Sequence, residues 1–177
     1  MTLREKYGEW GIILGATEGV GKAFCERLAK EGMNVVMVGR REEKLKELGE
    51  ELKNTYEIDY KVVKADFSLP DATDKIFAAT ENLDMGFMAY VACLHSFGKI
   101  QDTPWEKHEA MINVNVVTFM KCFYHYMKIF AAQDRGAVIN VSSMTGISSS
   151  PWNGQYGAGK AFILKMTEAV ACETEIG

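Results

Sequence analysis

No uncharged apolar run in this sequence approaches the roughly 20 residues that a membrane-spanning helix needs, which excludes a helical span. The opening stretch, MTLREKYGEW, is too polar and charged for a secretory leader. Basic excess is also missing. The 20 Lys and Arg are outnumbered by 24 Asp and Glu, so no basic surface is left over to meet a phosphate backbone, and nucleic acid is excluded as a main partner. Cysteine is sparse: Cys25, Cys93, Cys122 and Cys172 lie far apart with no C-x-x-C pair. They read as reduced core or near-core thiols of a cytoplasmic protein rather than a disulfide framework. Cys122 and His125 stand at i and i+3 without a second ligand pair, so no metal site is expected. Internal repeats, low-complexity tracts and linkers are absent as well. What remains is a chain of 177 residues, 47% hydrophobic and 25% charged, read as a single domain over 1–177 with a core of its own.

Apolar runs that alternate with amphipathic stretches predict α/β architecture. Trp10 to Leu14 (WGIIL) reads as a buried strand, followed by Gly15-Ala16-Thr17-Glu18-Gly19-Val20-Gly21 and a helix carrying Val20, Phe24, Leu28 and Ala29 on one side. Strand, glycine loop and helix form the context in which a glycine motif points to a nucleotide. Gly15 permits a tight turn, Gly19 lets backbone approach a pyrophosphate, and Gly21 lets the helix lie close to the strand. Unpaired N–H groups at the helix start then face phosphate oxygens. The bland alternative is a tight turn and nothing more.

Met33 to Val38 is the second strand, and Gly39-Arg40-Arg41 follows it. NAD-binding domains place a carboxylate at this point for the ribose 2′-hydroxyl. A glycine followed by two guanidinium groups suits a 2′-phosphate instead, which favours NADP over NAD. The alternative is that Arg40 and Arg41 cap the strand end and pair with Glu42 or Glu43. Leu45, Leu48 and Leu52 mark a helix over Arg41–Tyr56. Tyr60–Ala65 is a third strand ending in Asp66 and Phe67, which could hold an adenine or merely cap a turn. Pro70 and Asp71 open another helix. Met85–Cys93 is the fourth strand, and the loop after it carries His95, read as a surface or packing residue. Pro104 to about Ala132 is predicted to be largely helical. Asn113 and Asn115 sit in its amino-terminal half, where poor helix propensity hints at another task.

Gly136–Val141 reads as a fifth buried strand, leading through Ser142, Ser143 and a Gly/Ser/Pro loop into a helix with Tyr156 and Lys160. Residues at i and i+4 share a helix face. A phenol and an ammonium are thus held together at a strand's carboxyl end, where open α/β sheets bind ligands. The neighbouring positive charge is expected to draw the phenol's pKa down towards neutrality, and Ser143 can hydrogen-bond the same reacting oxygen. The bland alternative has Tyr156 packing and Lys160 solvated. The whole predicts a Rossmann-type doubly wound parallel sheet with helices on both faces.

Gly15-x-x-x-Gly19-x-Gly21, Asn115, Ser143, Tyr156 and Lys160, with a thirteen-residue step from Ser143 to Tyr156, resemble the short-chain dehydrogenase/reductase family along the whole chain. Residues 4–25, 90–123 and 142–173 are similar, more closely, to the group of gut-bacterial hydroxysteroid dehydrogenases that interconvert 7β-hydroxyl and 7-oxo groups of bile acids with NADP(H). The resemblance implies roles. Tyr156 is the acid/base, Lys160 lowers its pKa and holds the nicotinamide ribose, Ser143 polarises the substrate oxygen, and Asn115 holds a water linking Lys160 to solvent. It implies cofactor contacts at Gly15, Thr17, Glu18, Gly19, Val20 and Gly21. Further contacts are implied at Arg40, Arg41, Asp66, Phe67, Ala92, Tyr156 and Lys160. It also implies a bile acid or other steroid as substrate, and a homodimer or tetramer formed through the two long helices. Another carbonyl reductase, acting on a 3-oxoacyl group or another steroid position, and a catalytically idle NADP-binding protein are the competing readings. Departures are Leu14, where the family usually has threonine, and Tyr90-Val91-Ala92-Cys93, where it has Asn-Asn-Ala-Gly. Family members also continue through two more strands and a mobile loop over the substrate. The sequence is therefore expected to be truncated or partial, missing those strands and that lid.

Overall fold

β1 (Trp10–Leu14) lies at the centre of a five-stranded parallel sheet, with β2 (Asn34–Gly39) on one side and β4 (Met85–Tyr90) on the other. β3 (Tyr60–Lys64) and β5 (Ala137–Asn140) are the edges, giving the order β3-β2-β1-β4-β5. The computed structural model describes residues 1–176. Helices α1 (Leu3–Tyr7), α2 (Gly19–Lys30), α3 (Glu42–Tyr56), α4 (Ala72–Thr80), α5 (Trp105–Ile112), α6 (Phe119–Gln133) and α7 (Gly154–Ile176) accompany the sheet.

Side chains on a strand alternate between faces, so each central strand supplies two cores. Ile12, Leu14, Val36, Val38, Met88 and Tyr90 join Phe119, Tyr126 and Ile163 on one face. Ile13, Val35, Met37, Phe87 and Ala89 join Leu28, Leu45 and Leu52 on the other. This accounts for the unbroken apolar character of β1, β2 and β4: both faces are covered. The doubly wound sheet expected from the sequence is therefore present. Strand order reverses at β1, which opens a crevice beyond the carboxyl ends of β1 and β4.

Several boundaries differ from the sequence reading. The fourth strand stops at Tyr90 rather than Cys93, because the N–H groups of Val91 and Ala92 both turn onto Leu14 O, at 2.8 and 2.7 Å. The region from Pro104 to Ala132 is not one continuous helix. Between α5 and α6 it widens into a π-helical turn over Asn113–Thr118. Val20 does not pack on the sheet side of α2 with Leu28 and Ala29; it is 55% exposed, on the rim of the crevice. Helix α1 was not foreseen, although its signal is in the sequence. Thr2 Oγ accepts from Glu5 N–H at 3.2 Å and Glu5 returns the bond to Thr2 N–H at 2.8 Å, a capping box.

Gly21 shows how tightly the first turn is built. A Cβ there would lie 1.9 Å from Gly15 O, a backbone atom with nowhere to move. Gly21→Ala should therefore cost about 3 kcal/mol, the upper end of what overpacking costs. It should appear as a lower urea midpoint with an unchanged slope.

Candidate active site

Gly15 turns the chain out of β1 at φ +101°, and its missing side chain brings Ala92 against it: a Cβ would lie 2.6 Å from Ala92 N. Leu14, the departure before the loop, is wholly buried in the core. Gly19, at φ +56°, opens α2, and a Cβ there would meet nothing within 4 Å. The first turn of α2 has neither a side-chain cap nor an acidic residue, so its first N–H groups are left without a side-chain partner beside the cleft that Glu18 and Val20 line. That cleft, of about 390 Å³, is bounded at one end by Thr17, Glu18 and Val20 and at the other by Tyr156 and Lys160.

Gly39, Arg40 and Arg41 flank the first end. A carboxylate side chain could not replace Gly39 without displacing Thr17, whose Oγ1 would stand 2.8 Å from the new Cβ. Arg41 is ion-paired, though not with Glu42 or Glu43. Its partner is Glu18 on the glycine loop, at 2.9 Å, and the hydrogen bond from Arg41 holds the Glu18 carboxyl below its usual pKa. Arg40 makes no ion pair among the described residues. Burial works against ionisation of Asp66, but hydrogen bonds from Ser68 N–H (3.0 Å) and Ser68 Oγ (2.7 Å), with Arg40 nearby, hold its carboxyl below the usual range. Asp66 thus caps a turn and faces the cleft, while Phe67 is buried edge-on against Tyr90, with ring centroids 6.1 Å apart.

The π-helical turn organises the crevice from behind. Thr118 Oγ1 donates to Phe67 O (2.8 Å) and Asn113 Nδ2 to Ser68 O (3.2 Å), fixing the loop after β3. Asn115 clasps the loop after β4, accepting from Leu94 N–H at 3.0 Å and donating to Leu94 O at 2.7 Å. Tyr90 stands where the family has its first asparagine. Its hydroxyl donates to Val114 O at 2.6 Å, so a buried phenol ties β4 to the turn. Both asparagines flagged by propensity therefore have work outside the helix. The Asn115 side chain reaches Leu94 rather than Lys160. Its Cβ does face α7, where a Cβ on Gly159 would lie 2.9 Å away.

Tyr156 and Lys160 project into the cleft from the first turns of α7, the ammonium 5.8 Å from the phenol ring centroid. Lys160 is buried and donates to Val141 O at 2.7 Å, while Ser142 Oγ donates to Lys160 O at 2.8 Å. Ser143 lies beside them. Its oxygen accepts from Thr145 N–H (3.2 Å) and Thr145 Oγ1 (2.9 Å), leaving its own proton to donate elsewhere.

One electrostatic expectation is reversed. Lys160 does not draw the Tyr156 pKa down in this arrangement. Burial raises it, the Cys93 thiol pushes the same way, and the Ser143 hydroxyl only partly opposes them. Burial likewise lowers the Lys160 pKa. The amine spends its hydrogen bond on Val141 O, not on the phenol.

Two neighbours of Tyr156 were missed as site residues. Cys25 and Cys122 are buried as expected, but Cys93 and Cys172 are exposed, and Cys93 lines the cleft where the family has glycine. His95 stands edge-on to Tyr156, with ring centroids 5.9 Å apart. Both follow β4, and the departure from Asn-Asn-Ala-Gly was the available signal. Among the described residues no His, Cys, Asp and Glu cluster could hold a metal, and no helix is long and apolar enough to cross a membrane.

Comparison with known proteins gives the same architecture. A profile of the short chain dehydrogenases matches residues 9–176. A 7beta-hydroxysteroid dehydrogenase of Collinsella aerofaciens is 83% identical over 175 residues, covering 99% of this chain and 66% of that protein. One of Clostridium sardiniense is 46% identical, covering 98% of this chain and 66% of its own length. A solved 7beta-hydroxysteroid dehydrogenase structure superimposes with a TM-score of 0.97 at 83% identity, over 98% of this chain and 67% of the other. The chain thus spans about two thirds of the length of these relatives.

Proposed function

Because the chain belongs to the short-chain dehydrogenase family, we propose that it is an NADP(H)-dependent oxidoreductase that interconverts a secondary alcohol and a ketone, the reacting group being the 7β-hydroxyl or 7-oxo group of a bile acid. One observation carries the chemistry: Tyr156 and buried Lys160 line a cleft that also has two arginines and no carboxylate at the end of the second strand, and the donor-poised Ser143 stands within reach of the Tyr156 hydroxyl. The 7β position rests on the likeness to the two bacterial relatives.

The residues fit a dinucleotide. Open space over Gly19 and uncapped N–H groups in α2 suit a pyrophosphate. Arg40 and Arg41 suit a 2′-phosphate; Asp66 and Phe67 suit the adenine side; Ala92 and Lys160 line the nicotinamide side. When bound, the nicotinamide supplies or accepts the hydride.

The protein's share is position and proton transfer. Ser143 donates to the substrate oxygen while Thr145 holds its lone pairs. Tyr156 gives that oxygen a proton in reduction and takes one in oxidation. The Lys160 amine, buried and one helical turn away, donates to Val141 O, and on turning toward the phenol its charge would favour the phenolate that forms as Tyr156 gives up its proton. Asn115 keeps the loop after β4 in place through Leu94 and faces α7 beside Lys160, where a proton path to solvent could pass. The same reading makes the protein cytoplasmic, and a homodimer or tetramer through α6 and α7.

The test is NADPH oxidation by the protein with a 7-oxo bile acid, set against a 3-oxoacyl thioester and steroids oxidised at other positions. Turnover with the 7-oxo compound and not the others supports the assignment; preference for another ketone moves it within the family. Tight NADPH binding without turnover on any of them would make the protein an idle nucleotide binder.

Cys93 offers a check independent of substrate. A thiol-alkylating reagent should modify Cys93 and block turnover, saturating NADPH should slow that reaction at least tenfold, and buried Cys25 and Cys122 should stay unmodified. Peptide mapping reads this directly, and a rate indifferent to NADPH would remove Cys93 from the nucleotide's footprint.

A further inference from the structure

α5 and α7 meet at His108, a half-buried residue whose two ring nitrogens both face oxygens. Nδ1 contacts Gln155 Oε1, and Nε2 lies 3.1 Å from Ile100 O. The Gln155 amide cannot reverse to relieve this, because its Nε2 donates to His108 O at 2.7 Å. A neutral imidazole carries one N–H, so either tautomer leaves a lone pair pointing at an oxygen. Only the imidazolium donates to both.

The two acceptors belong to two segments that run on to the catalytic end of the cleft, and with His108 they line a neighbouring cavity. Ile100 opens the 3₁₀ turn (Ile100–Asp102) in the loop that begins at Leu94 and carries His95 against Tyr156. Gln155 immediately precedes Tyr156 in α7. We propose that His108 is a positioning residue: protonated, it clamps the loop after β4 to the first turn of α7, and on losing its proton it releases one of the two.

The charged residues around it are of both signs. Lys99, from the loop, lines with His108 a cavity of about 1010 Å³, and Asp102 ends the 3₁₀ turn. Gln155 and Ala158, which α7 brings to that wall, are uncharged. On α5 itself Glu106, Lys107 and Glu109 flank His108, and the Trp105 ring lies 6.4 Å away between centroids. Both bonds exist while the ring carries two N–H groups and one is lost with the second proton, so the test compares the acid and alkaline ends of the general histidine range, about pH 5 to 8.

The consequence for turnover rests on the oxidoreductase reading; the clamp itself does not. Nitrogen-detected NMR of the His108 ring should show both N–H groups slowed in exchange at the acid end. Hydrogen–deuterium exchange of 98–103 and 153–157, corrected for the intrinsic pH dependence, should rise several-fold towards the alkaline end. His108→Gln, which can still donate to Ile100 O but cannot titrate, should lose that rise. In ketone reduction, the wild-type kcat should fall several-fold over the same range with KM nearly constant, and His108→Gln should lack that limb. Exchange that stays flat in the wild type, or rises equally in His108→Gln, overturns the proposal. Should the variant not fold, the wild-type ring spectra decide: a neutral ring throughout the range also overturns it. Absence of turnover with an intact exchange transition would count against the oxidoreductase reading and leave the clamp standing.

Discussion

Tyr156→Phe is expected to lower kcat by about two to four orders of magnitude, the usual range for removing a general acid/base, while NADPH affinity stays within a few-fold of wild type. The phenol is half-buried, and among the described residues no backbone group hydrogen-bonds to it, so the variant should fold with a nearly unchanged urea midpoint. The loss corresponds to about 3–5 kcal/mol of transition-state stabilisation. It should fall on kcat rather than on nucleotide binding, because the phosphate-facing end of the cleft lies away from Tyr156. Single-turnover measurement at saturating NADPH separates the two, and retained chemistry in the phenylalanine variant would remove Tyr156 from its role.

The pH dependence follows from the direction of the Tyr156 shift. Burial raises the phenol's pKa. The proton-donating form is therefore present throughout the neutral range, which suits ketone reduction; alcohol oxidation needs the phenolate and should gain rate as pH rises. Lys160 now donates to Val141 O. Lys160→Met should remove the cation that favours the phenolate, lowering oxidation more than reduction at neutral pH. Equal losses in the two directions would mean that Lys160 acts by holding nucleotide alone.

How much of this was legible in the sequence depended on how local each cause was. Gly15, Gly19 and Gly21 announced the turn because the need for positive φ or for a missing Cβ acts within one loop. Tyr156 and Lys160 could be paired because helical spacing alone sets them on one face. The strand-end arginines followed from the apolar run that brings β2 into the centre of the sheet. The π-helical turn was hidden, since what selects it lies far away. Thr118 bonds a residue 51 positions back, Asn113 one 45 back and Asn115 one 21 back. Propensity marked the asparagines as misfits without naming their partners. The direction of the Tyr156 shift was missed for a similar reason: a sequence shows the neighbouring charge but not the burial that outweighs it. For Cys93 and His95 the departure from Asn-Asn-Ala-Gly marked the place but not the role, because a loop's path over a sheet is decided by the residues that tether it, here Asn115 through Leu94.

Replacing Arg40 and Arg41 together by serine should weaken NADPH by tenfold to several thousandfold and NADH by no more than a few-fold. Each charge-assisted contact to a phosphate is worth roughly tenfold to a hundredfold. The two arginines are not expected to share equally. Arg41 already has Glu18 at 2.9 Å, so a 2′-phosphate must compete with a carboxylate for it. That pair is solvent-exposed and contributes little, so the competition is mild. Arg40 has no ionic partner among the described residues, so Arg40→Ser alone should cost more NADPH affinity than Arg41→Ser alone. Glu18→Gln should, if anything, tighten NADPH slightly by freeing Arg41. Nucleotide titrations at two salt concentrations decide the matter, since the arginine-dependent part of binding should shrink as salt screens it. Equal weakening of both nucleotides would leave the second strand's end without a phosphate to explain.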